Sequence, residues 1–76
     1  MMVHMTNGVE RIAAKVRGVA AEHRFTQQRI ADTLEISRAS VVQRIQGRVP
    51  FTAPEILTLA QAMDEPITRF FPERAA

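Results

Sequence analysis

Within residues 38–46 the chain places Arg38, Ala39, Ser40, Gln43 and Gln46 on one side of a helical repeat whose other side carries Val41 and Ile45. The outward set is small or hydrogen-bonding, with Val42 on its edge as the larger apolar group. A glutamine amide offers a donor and an acceptor together, and an arginine offers a planar fork of donors. Such groups pair with base edges in the major groove of a duplex. Other chemistry is thinly represented. His4 and His23 stand far apart, with no cysteine or carboxylate partner at ligand spacing, so no metal site is expected. Ser37 and Ser40 have no histidine near them and read better as a helix cap and a surface residue than as nucleophiles. There is no glycine loop to cradle a phosphate, and the phenylalanines suit core positions better than stacking platforms for single strands. No catalytic residue, cofactor or small-molecule ligand is expected, and the chain is not read as an enzyme.

A surface of this kind needs a domain to hold it, and 76 residues allow one. A domain this short buries only roughly 60% of its unfolded surface, so its core must be well filled. An apolar content of 46% argues against disorder. The absence of cysteine rules out disulfides and thiolate zinc sites. No apolar run approaches the roughly 18–20 residues of a membrane span, and the N-terminus lacks a basic-then-apolar signal; a cytoplasmic protein is the expectation. The formal net charge of +2 is unevenly spread. In the middle of the chain Arg24, Arg29, Arg38, Arg44 and Arg48 outweigh Asp32 and Glu35, whereas at the end Glu55, Asp64, Glu65 and Glu73 outweigh Arg69 and Arg74. That distribution suits a surface facing a polyanion, and it equally suits an evenly solvated surface with chance clustering.

Apolar spacing and caps define the elements. Residues 1–5 are expected to be a disordered tail, the domain to run over 6–72, and 73–76 to form a second tail. Thr6 or Asn7 can cap a first helix whose apolar stripe is Val9, Ile12, Ala13, Val16 and Ala20. Thr26 caps a second helix at about 27–34, and Phe25 ahead of it can staple onto Ile30. Glu35-Ile36-Ser37 breaks that helix, Ser37 caps a third at about 38–46, and Gly47 ends it. Two short helices so close in sequence must cross steeply. Ala31 supplies the small residue where they approach, and Ile30, Leu34, Ile36, Val41 and Ile45 form one buried knot. Thr52-Ala53-Pro54-Glu55 reads as a capping box with an early proline, and Phe51 and Ile56 repeat the staple. The fourth helix turns Ile56, Leu59, Ala60 and Met63 inward and ends at Asp64-Glu65-Pro66. Ile67 to Phe71 makes a last short helical turn. One ring of Phe70-Phe71 is expected to close the core, leaving the other for a contact between copies. The fold class is all-α, with five helices.

The run from Gln27 to Gly47 resembles the helix-turn-helix of the phage repressor/Cro (Xre-type) superfamily. The matching residues are Gln27, Ile30-Ala31, Leu34, Ile36-Ser37, Val41 and Gly47, then Pro50 and Glu55-Ile56 at the start of the fourth helix. The ending Arg44-Ile45-Gln46-Gly47-Arg48-Val49-Pro50-Phe51 is similar to small actinobacterial and actinophage members. The resemblance covers about residues 9–71 and implies a lambda-repressor-like DNA-binding domain. It implies that Gln27 contacts a phosphate, assisted by the N–H groups at its helix start. It implies that Arg38, Ala39, Ser40 and Gln43 face the bases, and that Gln46 and Arg48 lie near the DNA backbone. Arg29 is read as a further phosphate contact. Arg44 stands where many relatives carry an aliphatic residue; its stem is expected to pack on the core, with its head reaching a phosphate or Glu35. Glu35 itself is a departure, because the family usually has glycine there. Either the turn is rebuilt or the glutamate takes a positive φ at a cost of about 1 kcal/mol.

The expected function is sequence-specific binding of double-stranded DNA by a Cro- or repressor-type transcription regulator. Its DNA site is expected to be a partial palindrome, with two protomers paired at least on DNA. A second reading is an antitoxin or phage protein-interaction module that has kept the fold. The outward face of the third helix separates them: hydrogen-bonding and basic side chains favour DNA, and an apolar patch favours a protein. Val42 and Phe70 or Phe71 are the only candidates for such a patch.

Overall fold

A computed structural model describes residues 8–72. Four α-helices follow in order: α1 (Gly8–Glu22), α2 (Gln27–Leu34), α3 (Arg38–Ile45) and α4 (Ala53–Met63). A 3₁₀ turn, Ile67–Phe70, comes last, and no strand occurs among the described residues. The fifth helix expected from the sequence is this single turn. It is hemmed in by proline on both sides, and Phe71, which precedes Pro72, is already extended at φ −114° and ψ 143°. The expected tails at 1–5 and 73–76 and the Thr6 or Asn7 cap lie outside the described residues.

The apolar stripes meet in one core. Val16, Ile30, Val41, Ile56, Leu59 and Phe70 are its largest fully buried side chains, drawn from every element of the fold. Phe70 closes the bottom of the core, while Phe71 stays 41% exposed. On α1 the buried face is Ala13, Val16, Val19 and Ala20, so Val19 joins the expected stripe and Val9 moves to its margin. Between α2 and α3, Ile30, Ala31, Val41 and Ile45 are buried, whereas Leu34 and Ile36 pack on them from the rim. Phe25 and Phe51, each just ahead of a helix, are both buried in the cluster that holds Ile30 and Ile56.

The helix starts are capped as their residue types require. Thr26, Ser37 and Thr52 each accept a hydrogen bond from the backbone N–H three residues on, and Glu55 returns a bond to the Thr52 N–H to complete a capping box. The helix ends share one device. Past each α-helix a left-handed residue occurs: Arg24 (φ 55°), Glu35 (φ 58°), Gly47 (φ 78°) and Asp64 (φ 55°). Each donates to the carbonyl three residues back, and its successor donates to the carbonyl five back, as in Phe25 to Ala20, Ile36 to Ala31, Arg48 to Gln43 and Glu65 to Ala60. This double bond pattern satisfies carbonyls that a helix end leaves open. The turn at Glu35 is therefore not rebuilt. The glutamate adopts the glycine-like conformation itself. Only Gly47 leaves no room for a side chain, since a Cβ there would stand 3.0 Å from Glu10 Cγ and 3.3 Å from Glu10 Cα.

Candidate nucleic-acid interface

An eight-residue helix has little stability of its own, so the pose of α3 is set by what holds it. Its buried side, Val41 and Ile45, packs on α2 and α1. At its start, Ser37 Oγ accepts the Ser40 N–H at 3.0 Å and donates to Ser40 Oγ at 3.0 Å. At its end, Gln46, Gly47 and the Arg48–Val49 pair take up the carbonyls of Val42, Arg44 and Gln43. The remaining carbonyl, Ile45 O, accepts a bond of 2.8 Å from Arg17 Nη1 on α1. Laterally, Arg44 Nε and Nη2 grip the two oxygens of Glu55 on α4 at 3.0 and 3.2 Å, while Nη1 donates to Ser40 O at 3.2 Å.

The scaffold leaves the expected face of α3 partly open to solvent. Arg38, Ala39 and Gln46 are exposed, and Ser40, Val42 and Gln43 are half-buried. The side chains of Arg38, Gln43, Gln46 and Arg48 make no hydrogen bond or ion pair among the described residues. Gln27 opens α2, whose Thr26 cap takes only the Arg29 N–H, so the N–H groups of Gln27 and Gln28 have no acceptor among the described residues. Arg29 is exposed and lies over the Phe25 ring at 4.5 Å from the centroid, an arrangement that attracts a cation to the ring face.

Arg44 stands apart from this set. The expectation gave its head to a phosphate or to Glu35; its guanidinium instead faces Glu55, and both side chains are only 16% exposed. The pairing spans 11 residues and joins α3 to α4, which no local rule reveals. Arg17 was likewise not singled out by spacing. It reaches α3 across 28 residues and shares a crevice of ≈ 200 Å³ with Gln27, Phe25, Ile30 and Ile45.

A second polar cluster lies at the far end of α1. His23 Nε2 sits 2.7 Å from Glu65 Oε2, a partner 42 residues away that sequence spacing does not supply. Arg69 donates to both Glu22 oxygens at 2.9 Å and to Glu65 at 3.2 Å. The hydrogen bond from Arg69 holds the Glu22 carboxyl below its ordinary value, and the bond to His23, followed by that from Arg69, does the same for Glu65. Glu22, His23 and Glu65 bring their ligand atoms within 4.8 Å of one another. The Arg69 guanidinium already occupies the carboxylate oxygens that a cation would need.

These elements define an all-helical helix-turn-helix domain, α2 being its first helix and α3 the second. The fold is similar to the solved structure of the restriction-modification controller protein C.AhdI from Aeromonas hydrophila, at a TM-score of 0.73 and 21% identity, over 83% of this chain and 96% of that chain. At that identity the likeness is one of fold. No family model matches the chain, and no curated protein is similar to it in sequence. No helix among the described residues is long and apolar enough to cross a membrane.

Proposed function

We propose that the protein is a sequence-specific, double-stranded-DNA-binding transcription regulator of the Cro/repressor (Xre-type) kind, with α3 in the major groove. The observation that carries this reading is the outer face of α3. Arg38 and Gln43 project, with no partner among the described residues, from a helix otherwise fixed on three sides. A polar side chain left unsatisfied on a rigid element is preorganised for an external partner, and amide and guanidinium groups fit base edges. Ala39 and Ser40 complete the base-reading set. Gln27, Arg29, Gln46 and Arg48 take phosphates, with the N–H groups opening α2 adding to the Gln27 contact. The fold likeness to a controller protein agrees with a regulatory role. Two protomers on a partial palindrome, with half-sites about one helical turn apart, give the site its length. The protein works in the cytoplasm, without cofactor, metal or small-molecule effector.

Selection of bound duplexes from a random pool tests this directly, because it reports motif, palindromy and spacing together. On the selected duplex, Gln43→Ala lowers discrimination against a scrambled duplex by about 1–3 kcal/mol. Arg48→Ala weakens binding to both duplexes alike and lowers the log–log salt slope by about 1. A pool that yields no enriched motif in dilute salt rejects the proposal. A protein partner is the second reading, favoured by Ile67 and Phe71, which stay 38% and 41% exposed at the end of the fold.

A further inference from the structure

We infer that Arg17, outside the helix-turn-helix, is a ligand for a DNA phosphodiester, held ready for it by the carbonyl that ends α3. The inference rests on the proposed DNA-binding function and adds a residue and a contact to it. Three observations meet at this side chain. First, one Nη1–H is spent on Ile45 O at 2.8 Å, which fixes the guanidinium at the C-terminal end of α3. That end carries the negative pole of the helix, so the arginine is favoured there. Second, no carboxylate pairs with Arg17 among the described residues, in contrast to Arg44 on Glu55 and Arg69 on Glu22 and Glu65. Its charge and the rest of its fork of donors remain available. Third, the crevice it lines is apolar apart from Arg17 and Gln27: the other walls are Ala20, Ala21, Phe25, Ile30 and Ile45. Gln27 opens α2, and its side chain and N–H group have no partner among the described residues.

An anionic oxygen placed at the mouth of that crevice meets the guanidinium from one side and the α2 start from the other. A phosphodiester supplies such oxygens, and bidentate binding of phosphate is what the planar fork does best. Because the same guanidinium holds Ile45 O, the contact joins the DNA backbone to the end of the base-reading helix. A merely structural arginine, by contrast, caps α3 and does nothing to the salt dependence of binding.

The test is a salt titration of duplex binding by the whole chain. Arg17→Gln lowers affinity for the selected and the scrambled duplex by the same factor and reduces the log–log salt slope by about 0.9, the loss of one neutralised phosphate. Arg17→Lys restores the slope. Where Arg17→Gln disturbs folding, a synthetic chain with citrulline at this position keeps the donor to Ile45 O and removes the charge; it gives the same loss of slope. An unchanged slope in that chain overturns the inference, and so does a changed discrimination ratio at constant slope, which assigns Arg17 to holding α3 alone. Failure of the unaltered protein to bind any duplex overturns the proposed function itself, a distinct result.

Discussion

Replacing Arg44 by methionine keeps its apolar stem and deletes its three hydrogen bonds, two to Glu55 and one to Ser40 O. An exposed ion pair contributes about 0.2–1 kcal/mol, and a charge-assisted hydrogen bond in a sheltered site about 1.5–3 kcal/mol. With both side chains 16% exposed, this pair lies between those limits. A coupling of about 1–2 kcal/mol between Arg44→Met and Glu55→Gln is expected. The single Arg44→Met change costs more, about 2 kcal/mol, because it leaves a half-buried carboxylate without its cation. In a domain of this size that lowers Tm by roughly 8–16 °C. Urea denaturation of the four proteins of the cycle, at constant m-value, measures the coupling. The salt slope of duplex binding should stay where it is, since the guanidinium is spent inside the protein. A coupling near zero together with a slope reduced by about 0.9 would refute this reasoning and return Arg44 to the phosphate role its position suggested.

Gly47→Ala meets two penalties at once, about 1–2 kcal/mol for an L-residue in the left-handed region and the 3.0 Å approach of its Cβ to Glu10 Cγ. A thermal melt that moves by less than about 3 °C, the equivalent of some 0.5 kcal/mol, counts against the close packing of α1 on this turn. Glu35→Gly relieves the same backbone strain at φ 58°, and is expected to stabilise by up to about 1 kcal/mol after the added entropy of the unfolded glycine; a loss of stability in urea contradicts it. Glu22 and Glu65 both titrate below their ordinary 4.5 in the folded chain. Their contribution is therefore complete above pH 4.5 and is lost as pH falls through the depressed folded values. Glu65→Gln should flatten the fall of stability below that pH, and unfolding curves at a series of acidic pH values check it: an unchanged slope removes the His23–Glu65–Arg69–Glu22 cluster from the acid response.

What could be read in the sequence was local. Thr26, Ser37 and the Thr52–Glu55 box cap their helices through bonds that span three residues, so residue type and spacing suffice to place them. The α2 and α3 limits follow, and with them the outward set on α3. Glu35 was the hardest local case, because the rule that reserves left-handed positions for glycine is a statement of cost. Here two backbone bonds and the packing of Ile36 against the core offset that cost. The partners of the arginines were not legible. Arg17 to Ile45, Arg44 to Glu55 and Arg69 to Glu22 span 28, 11 and 47 residues, and each joins segments brought within reach only in the folded chain. Sequence spacing names none of those partners, and for Arg44 it pointed to a phosphate or Glu35 instead of Glu55.

The fold divides them instead, and the division explains how so short a helix can present a defined face. α3 is tied at its start by Ser37, at its side by Glu55 through Arg44, and at its end by Arg17, with Gly47 letting the following turn close onto Glu10. Each tie comes from a different part of the chain, so no single neighbouring element sets the pose of α3 on its own. Arg44 is consumed in the mounting, and Arg38 and Arg48 are left outside it. Changes at the ties should therefore alter how α3 is held, and changes at Arg38 or Gln43 should alter what it reads. A substitution at a tie that shifted base preference while leaving stability untouched would break that separation.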